Sequence, residues 1–128
     1  MIYTYKIRVT TTGSAGSATG TGVSDEGLTG LLRAVHVDYT SMPATTDVTI
    51  STTAAPTVTF LTLTNTNTDG WYYPMIAAHT NAGAAITYDG TRPIYTLFGI
   101  NDIVTVSVAQ ADALANAVIV TLLMERER

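Results

Sequence analysis

The chain has no cysteine, which excludes a disulfide framework, a thiolate metal centre and a cysteine nucleophile. Charge is scarce too. Asp, Glu, Lys and Arg make up 12% of the residues, about half the ~25% of an average globular domain. The six basic residues (Lys6, Arg8, Arg33, Arg92, Arg126 and Arg128) are scattered rather than gathered into a stripe. Displacing counterions from phosphates needs such a stripe, so no nucleic-acid partner is expected, and a polybasic membrane patch is lacking for the same reason. No run of ~18 apolar residues occurs, so no membrane-spanning helix is expected. The first six residues also lack the basic-then-apolar pattern of a signal peptide.

What is present points to β-structure. The length of 128 residues is that of one domain. Threonine occurs 25 times and alanine 16 times, so much of the 46% apolar content consists of small side chains. A Thr- and Val-rich chain with ten Gly and four Pro reads as short strands and turns, not as a helical bundle. The net charge of −4 is carried on few groups. A small isolated domain usually keeps more charge on its surface for solubility. The deficit suggests that part of the surface faces protein, the alternative being a monomer coated with Thr and Ser.

Residues 3–10 alternate cleanly, with Tyr3, Tyr5, Ile7 and Val9 on one face and Thr4, Lys6, Arg8 and Thr10 on the other, as in a half-buried strand. Residues 11–30 are rich in Gly, Ser, Thr and Ala and read as an arm or loop, with a Gly-rich strand as the alternative. Further strands are expected over 31–40, 47–53, 57–64, 71–76, 93–98 and 103–108. Breaks are expected at Met42-Pro43, at Ala54-Ala55-Pro56, in the Asn/Asp/Gly cluster 65–70, at Asp89-Gly90 and at 99–102. Pro74 marks an edge or a strand end. Residues 109–116 read as a helical turn or a loop. The last strand, 117–124, is apolar on both faces: Val118, Val120 and Leu122 on one, Ile119 and Leu123 on the other. It is therefore expected to be covered on both sides, inside a sandwich or against another subunit. The pattern predicts an all-β domain, an antiparallel β-sandwich or jelly roll of eight to nine strands over residues 1–128.

Chemistry-bearing constellations are sparse. Nothing resembles a Gly-x-Ser-x-Gly nucleophile turn around the two histidines, His36 and His79. His36 and Asp38 share a face of one strand and would supply two metal ligands, yet they read more simply as a surface pair. Asp69 and Asp89 each precede Gly, first of all a turn signature. Asn65, Asn67 and Asp69 place oxygens at alternate positions like a calcium loop, but with a single carboxylate and no acidic closing residue. No catalytic, cofactor or metal residue is assigned. The aromatic group Trp71, Tyr72, Tyr73, Tyr88 and Tyr95 has two readings: a sugar-stacking surface, or rings that cap a core or line a subunit interface. The alternation of side chains along 71–73 favours the second.

The segments His36-Val37-Asp38-Tyr39, Pro43-Ala44-Thr45-Thr46-Asp47-Val48-Thr49-Ile50, Thr68-Asp69-Gly70-Trp71-Tyr72-Tyr73-Pro74 and Tyr88-Asp89-Gly90-Thr91-Arg92-Pro93-Ile94 carry a likeness. With Val106-Ser107-Val108-Ala109-Gln110 and Val120-Thr121-Leu122, they resemble small virion accessory proteins of tailed bacteriophages. The resemblance spans residues 31–123. It implies a capsid decoration (cement) protein, commonly trimeric, seated on the outer shell with itself and the major capsid protein as partners and with no catalytic residues or cofactor. On that reading Trp71, Tyr72, Tyr73, Tyr88, Tyr95, Ile119 and Leu123 are the candidate subunit or capsid interface, and the location is the virion surface. The alternative is a carbohydrate-binding module or adhesin domain that uses exposed aromatic residues.

Overall fold

The computed structural model describes residues 1–53 and 57–126, and among them there is no helix. Ten strands follow one another: β1 (Ile2–Thr11), β2 (Ala18–Val23), β3 (Leu28–Tyr39), β4 (Asp47–Thr52), β5 (Thr59–Leu63), β6 (Gly70–Tyr72), β7 (Met75–Ala77), β8 (Tyr95–Asp102), β9 (Val104–Ala111) and β10 (Leu114–Glu125). They form two antiparallel sheets, one in the order β1-β10-β3-β8-β7 with β6 beside β3, the other β2-β9-β4-β5. This is the all-β antiparallel sandwich that the alternation predicts. There are ten strands rather than eight or nine because Pro74 splits the aromatic segment into β6 and β7 and because β2 forms within the Gly-rich stretch.

The core lies between the two inner faces and is dominated by β-branched residues, whose side chains are stiff and fit a pleated surface. Val9, Val35, Val37, Val118 and Leu122 from the larger sheet meet Val48, Ile50, Val104, Val106 and Val108 from the smaller, all fully buried. Phe60 and Phe98 close one side, with ring centroids 5.0 Å apart. Buried polar groups have partners. The Thr11 hydroxyl donates to Asp112 O at 2.6 Å and accepts from Leu114 N at 3.1 Å, which fixes the chain where it passes from β9 to β10.

Three expectations need correcting. First, the stretch 11–30 is not an arm or loop throughout but takes up the alternative of a Gly-rich strand: it contains β2, paired with β9 from Ala18↔Ala111 to Val23↔Thr105. Its glycines permit a close approach to β1. A Cβ on Gly20 would stand 2.3 Å from Thr10 O, and one on Gly22 would stand 2.8 Å from Arg8 O. Second, residues 99–102 do not turn but complete β8, with Gly99 opposite Leu31 and Asp102 opposite Leu28. Third, residues 109–116 hold no helical turn, and only Asp112 and Ala113 lie outside strands. β9 runs to Ala111 and β10 starts at Leu114, with Gln110 and Asn116 absorbing the bend at φ near +50°, a conformation Asn tolerates better than most residues. The expected break at Ala54-Ala55-Pro56 and the tail residues Glu127 and Arg128 lie outside the described residues.

The Asn/Asp/Gly cluster folds against the end of β3. Asp69 Oδ1 accepts from Tyr39 N at 2.7 Å, the Tyr39 and Thr66 hydroxyls lie 2.6 Å apart, and Asn67 Nδ2 donates to Met42 O at 3.1 Å. Burial, only partly offset by the bond to Thr66, raises the Tyr39 phenol above its ordinary pKa, and the nearby Tyr72 and Asp69 push the same way.

Candidate docking surface

The outer face of the six-stranded sheet can be read directly from its register. β10 lies between β1 and β3, so Ile119 stands beside Arg8 and Asp38, Thr121 beside Lys6 and His36, and Leu123 beside Thr4 and Ala34. On the far side of β3, His36 pairs with Trp71, and their rings lie 4.9 Å apart. One end of this face is basic and hydroxylated, and the other is aromatic. Ile119 and Leu123 are half-buried there, shielded by neighbouring side chains of their own sheet, while Val118, Val120 and Leu122 point into the core.

Period-2 alternation separates the aromatic cluster. Trp71 and Tyr73 point outward and are 52% and 67% exposed. Tyr72 pairs with Val35 and packs against the core. Tyr95 is 57% exposed and Tyr88 62%. Tyr73, Met75 and Tyr95 line a shallow groove of about 340 Å³. The structure therefore brings Trp71, Tyr73 and Tyr95 to one face, turns Tyr72 away and carries Tyr88 outward on a hairpin.

That hairpin, expected from Asp89-Gly90, belongs to a larger projecting region. Residues 75–97 contain no buried residue, yet they are well hydrogen-bonded. β7 pairs with β8 through Met75↔Leu97, Ile76↔Thr96 and Ala77↔Tyr95, and bridges join His79 to Ala85 and Thr87 to Pro93. This ear is a piece of sheet with no second layer over it. Large apolar residues sit on both of its faces: Met75 and Tyr95 on one, Ile76 and Ile94 on the other, all exposed. The signal in the sequence was the rarity of charge over 75–97, where only Asp89 and Arg92 are charged.

The polar candidates are occupied by structural work. Asp89 Oδ1 accepts from Thr91 N at 3.0 Å and Arg92 N at 2.7 Å, and Oδ2 accepts from Arg92 Nε at 2.6 Å. The backbone bond from Arg92, then that from Thr91 and the guanidinium bond, hold this carboxyl below its ordinary pKa of 3.8. Asp89 is thus the stabiliser of its own turn. A cleft of about 700 Å³ lies near the other end of the sheet, lined by Leu31, Gly30, Gly99, Asn101, Glu125 and Arg126 among others. Its carboxylate, Glu125, is paired with Arg33 at 2.7 Å. Among the described residues no group of three or more His, Cys, Asp and Glu is placed to hold a metal ion. No protein-family model matches the chain, and no curated protein matches it in sequence.

Proposed function

We propose that the chain is a structural protein rather than an enzyme: a capsid decoration protein that binds the outer shell of a tailed-phage virion as a homotrimer and stabilises it. The observation that carries this reading is the ear, 23 consecutive residues with no buried member and exposed apolar side chains on both faces. Contiguous exposed apolar surface marks an interaction site. A protein partner covers such a surface without needing charged or catalytic groups. The sequence likeness to virion accessory proteins, the low charge and the hydroxyl-rich strand faces support the same role. The major capsid protein is then the second partner, and the outer face of the six-stranded sheet, with Lys6, Arg8, Ile119 and Leu123, is the surface left to meet it.

The test is light scattering on the purified protein, followed by mixing with shells that lack it. A trimer that binds such shells and raises their disruption temperature is expected. A monodisperse monomer at micromolar concentration that leaves the shells unchanged would overturn the proposal.

A second reading, a glycan-binding module, is favoured by one specific observation: Trp71, Tyr73 and Tyr95 share a face beside a shallow groove. It leaves Ile76 and Ile94, exposed on the opposite face, without a role. Glycan-array binding that disappears in a folded Trp71→Ala protein would establish it.

A further inference from the structure

The cleft at the far end of the six-stranded sheet is built for a small ligand. Its volume of about 700 Å³ lies within the ~300–1,000 Å³ typical of small-molecule sites. Three adjacent strands supply its walls: residues 29–31 of β3, residues 99–101 of β8 and Glu125 at the end of β10, with Arg126 just beyond. Leu31, 42% exposed, provides the apolar surface at its centre.

One glycine in this cleft is not required by the fold. Gly99 sits inside β8 opposite Leu31. A Cβ there would meet nothing nearer than Leu31 Cδ2 at 4.0 Å, and its φ lies outside the left-handed region. Gly30 is different, because its φ is +141° and a Cβ would stand 2.4 Å from Glu125 O. Strand packing explains Gly30 and leaves Gly99 unexplained. A glycine inside a strand weakens it and often marks the close approach of a ligand. What Gly99 supplies is room in the cleft.

The polar rim is held in place and carries a cation without a counter-charge. Thr29 Oγ1 donates to Asn101 Oδ1 at 3.0 Å, which fixes the amide and leaves its N–H groups without a protein partner among the described residues. The Tyr3 hydroxyl donates to Thr29 O at 3.1 Å. The Arg126 guanidinium lies over the Tyr3 ring at 4.8 Å, and its backbone N–H donates to Met1 O at 2.8 Å. Glu125 is matched by Arg33 at 2.7 Å, whereas Arg126 forms no ion pair among the described residues.

We infer that this cleft binds a small amphiphile with an apolar body and a single carboxylate. The body covers Leu31 in the room left at Gly99, and the carboxylate accepts from the Arg126 guanidinium and the Asn101 amide. Both groups only donate through these N–H bonds, and a guanidinium matches the two oxygens of a carboxylate. One unpaired cation offsets one negative charge, and Glu125 at the rim repels a doubly charged phosphate more strongly. The site depends neither on the oligomeric state nor on the shell binding proposed above.

Decanoate is the probe, titrated below its micellar concentration into the isotope-labelled full chain and followed by amide chemical shifts. Saturable shifts at residues 29–31 and 99–101 are expected, with a dissociation constant at or below about 1 mM. Decanol and decyltrimethylammonium should bind at least about tenfold more weakly, since neither offers a charge-assisted bond to the rim. Arg126→Gln is expected to weaken decanoate binding about tenfold, and Gly99→Leu to abolish it by filling the cleft. Ile94→Ser, exposed in the ear, should bind like the parent. Circular dichroism reports the fold of each variant, and Gly99→Val replaces Gly99→Leu if that protein loses its β signal. Decanol or decyltrimethylammonium binding as well as decanoate overturns the carboxylate assignment. No saturable shift at these residues, or binding that survives both Arg126→Gln and the Gly99 variant unchanged, overturns the site.

Discussion

The sandwich body and the ear are built from the same kind of strand and held by different forces. In the body, each inward residue is covered by a second sheet, and burial stabilises the pairing. In the ear, antiparallel bonds of ordinary length join segments none of whose side chains is buried. An isolated two- or three-stranded piece without a packed face is marginal in water. The contrast teaches that hydrogen bonding gives this chain its local shape, while side-chain burial decides which part is stable by itself and which part is not.

That contrast is broken most severely from the core. Leu122→Ala, at a fully buried position on β10, is expected to cost about 2–5 kcal/mol, read as a lower denaturant midpoint with an unchanged m-value. Next comes the seam between the sheets. Gly20→Ala sets a methyl group against the Thr10 carbonyl and is expected to cost about 1–3 kcal/mol. A loss below about 0.5 kcal/mol would mean that the β1–β2 contact yields easily. Tyr39→Phe removes the hydroxyl pair with Thr66 and is expected to cost about 1 kcal/mol. Because the folded-state phenol pKa is raised above 10, its contribution is full below pH 10 and is lost as the pH rises through the shifted value. The Phe variant should lack that alkaline decline.

The ear is expected to respond least in stability and most in association. Ile94→Ser should change the unfolding free energy of the dissociated chain by less than about 0.5 kcal/mol. Amide exchange over residues 75–97 should slow as concentration rises, while exchange in β10 does not change. The smallest effect concerns pH. The Asp89 carboxyl is held below its ordinary value of 3.8, so its hold on the turn is present above that value and lost as the pH falls through the lowered one. Asp89→Asn should abolish that acid step in the exchange of the Thr91 and Arg92 amides.

Much of the fold was legible because period-2 alternation is a local property. The faces of β1, β4 and β9 follow from counting, and Pro74 and Asp89-Gly90 mark a strand end and a turn through their own backbone restrictions. Residues 99–102 misled because Gly99 and Asn101 look like turn residues, although here Gly99 lies opposite Leu31 within a ladder. The two-sided apolar character of β10 was also visible, but its outer residues Ile119 and Leu123 are shielded in part by their own sheet, which no reading of one strand reveals. In the aromatic group, alternation separated Tyr72 from Trp71 and Tyr73 without telling which of them faced the core.

The amino acids in order determined a Thr- and Val-rich, weakly charged, all-β chain without thiols, because composition and alternation act between near neighbours. Tertiary structure alone decided that the glycines of β2 serve a close approach to β1, that Trp71, Tyr73 and Tyr95 share an outward face, and that residues 75–97 project without cover. Those outcomes depend on which strands lie side by side and where the second sheet ends, a matter of distant segments meeting in space.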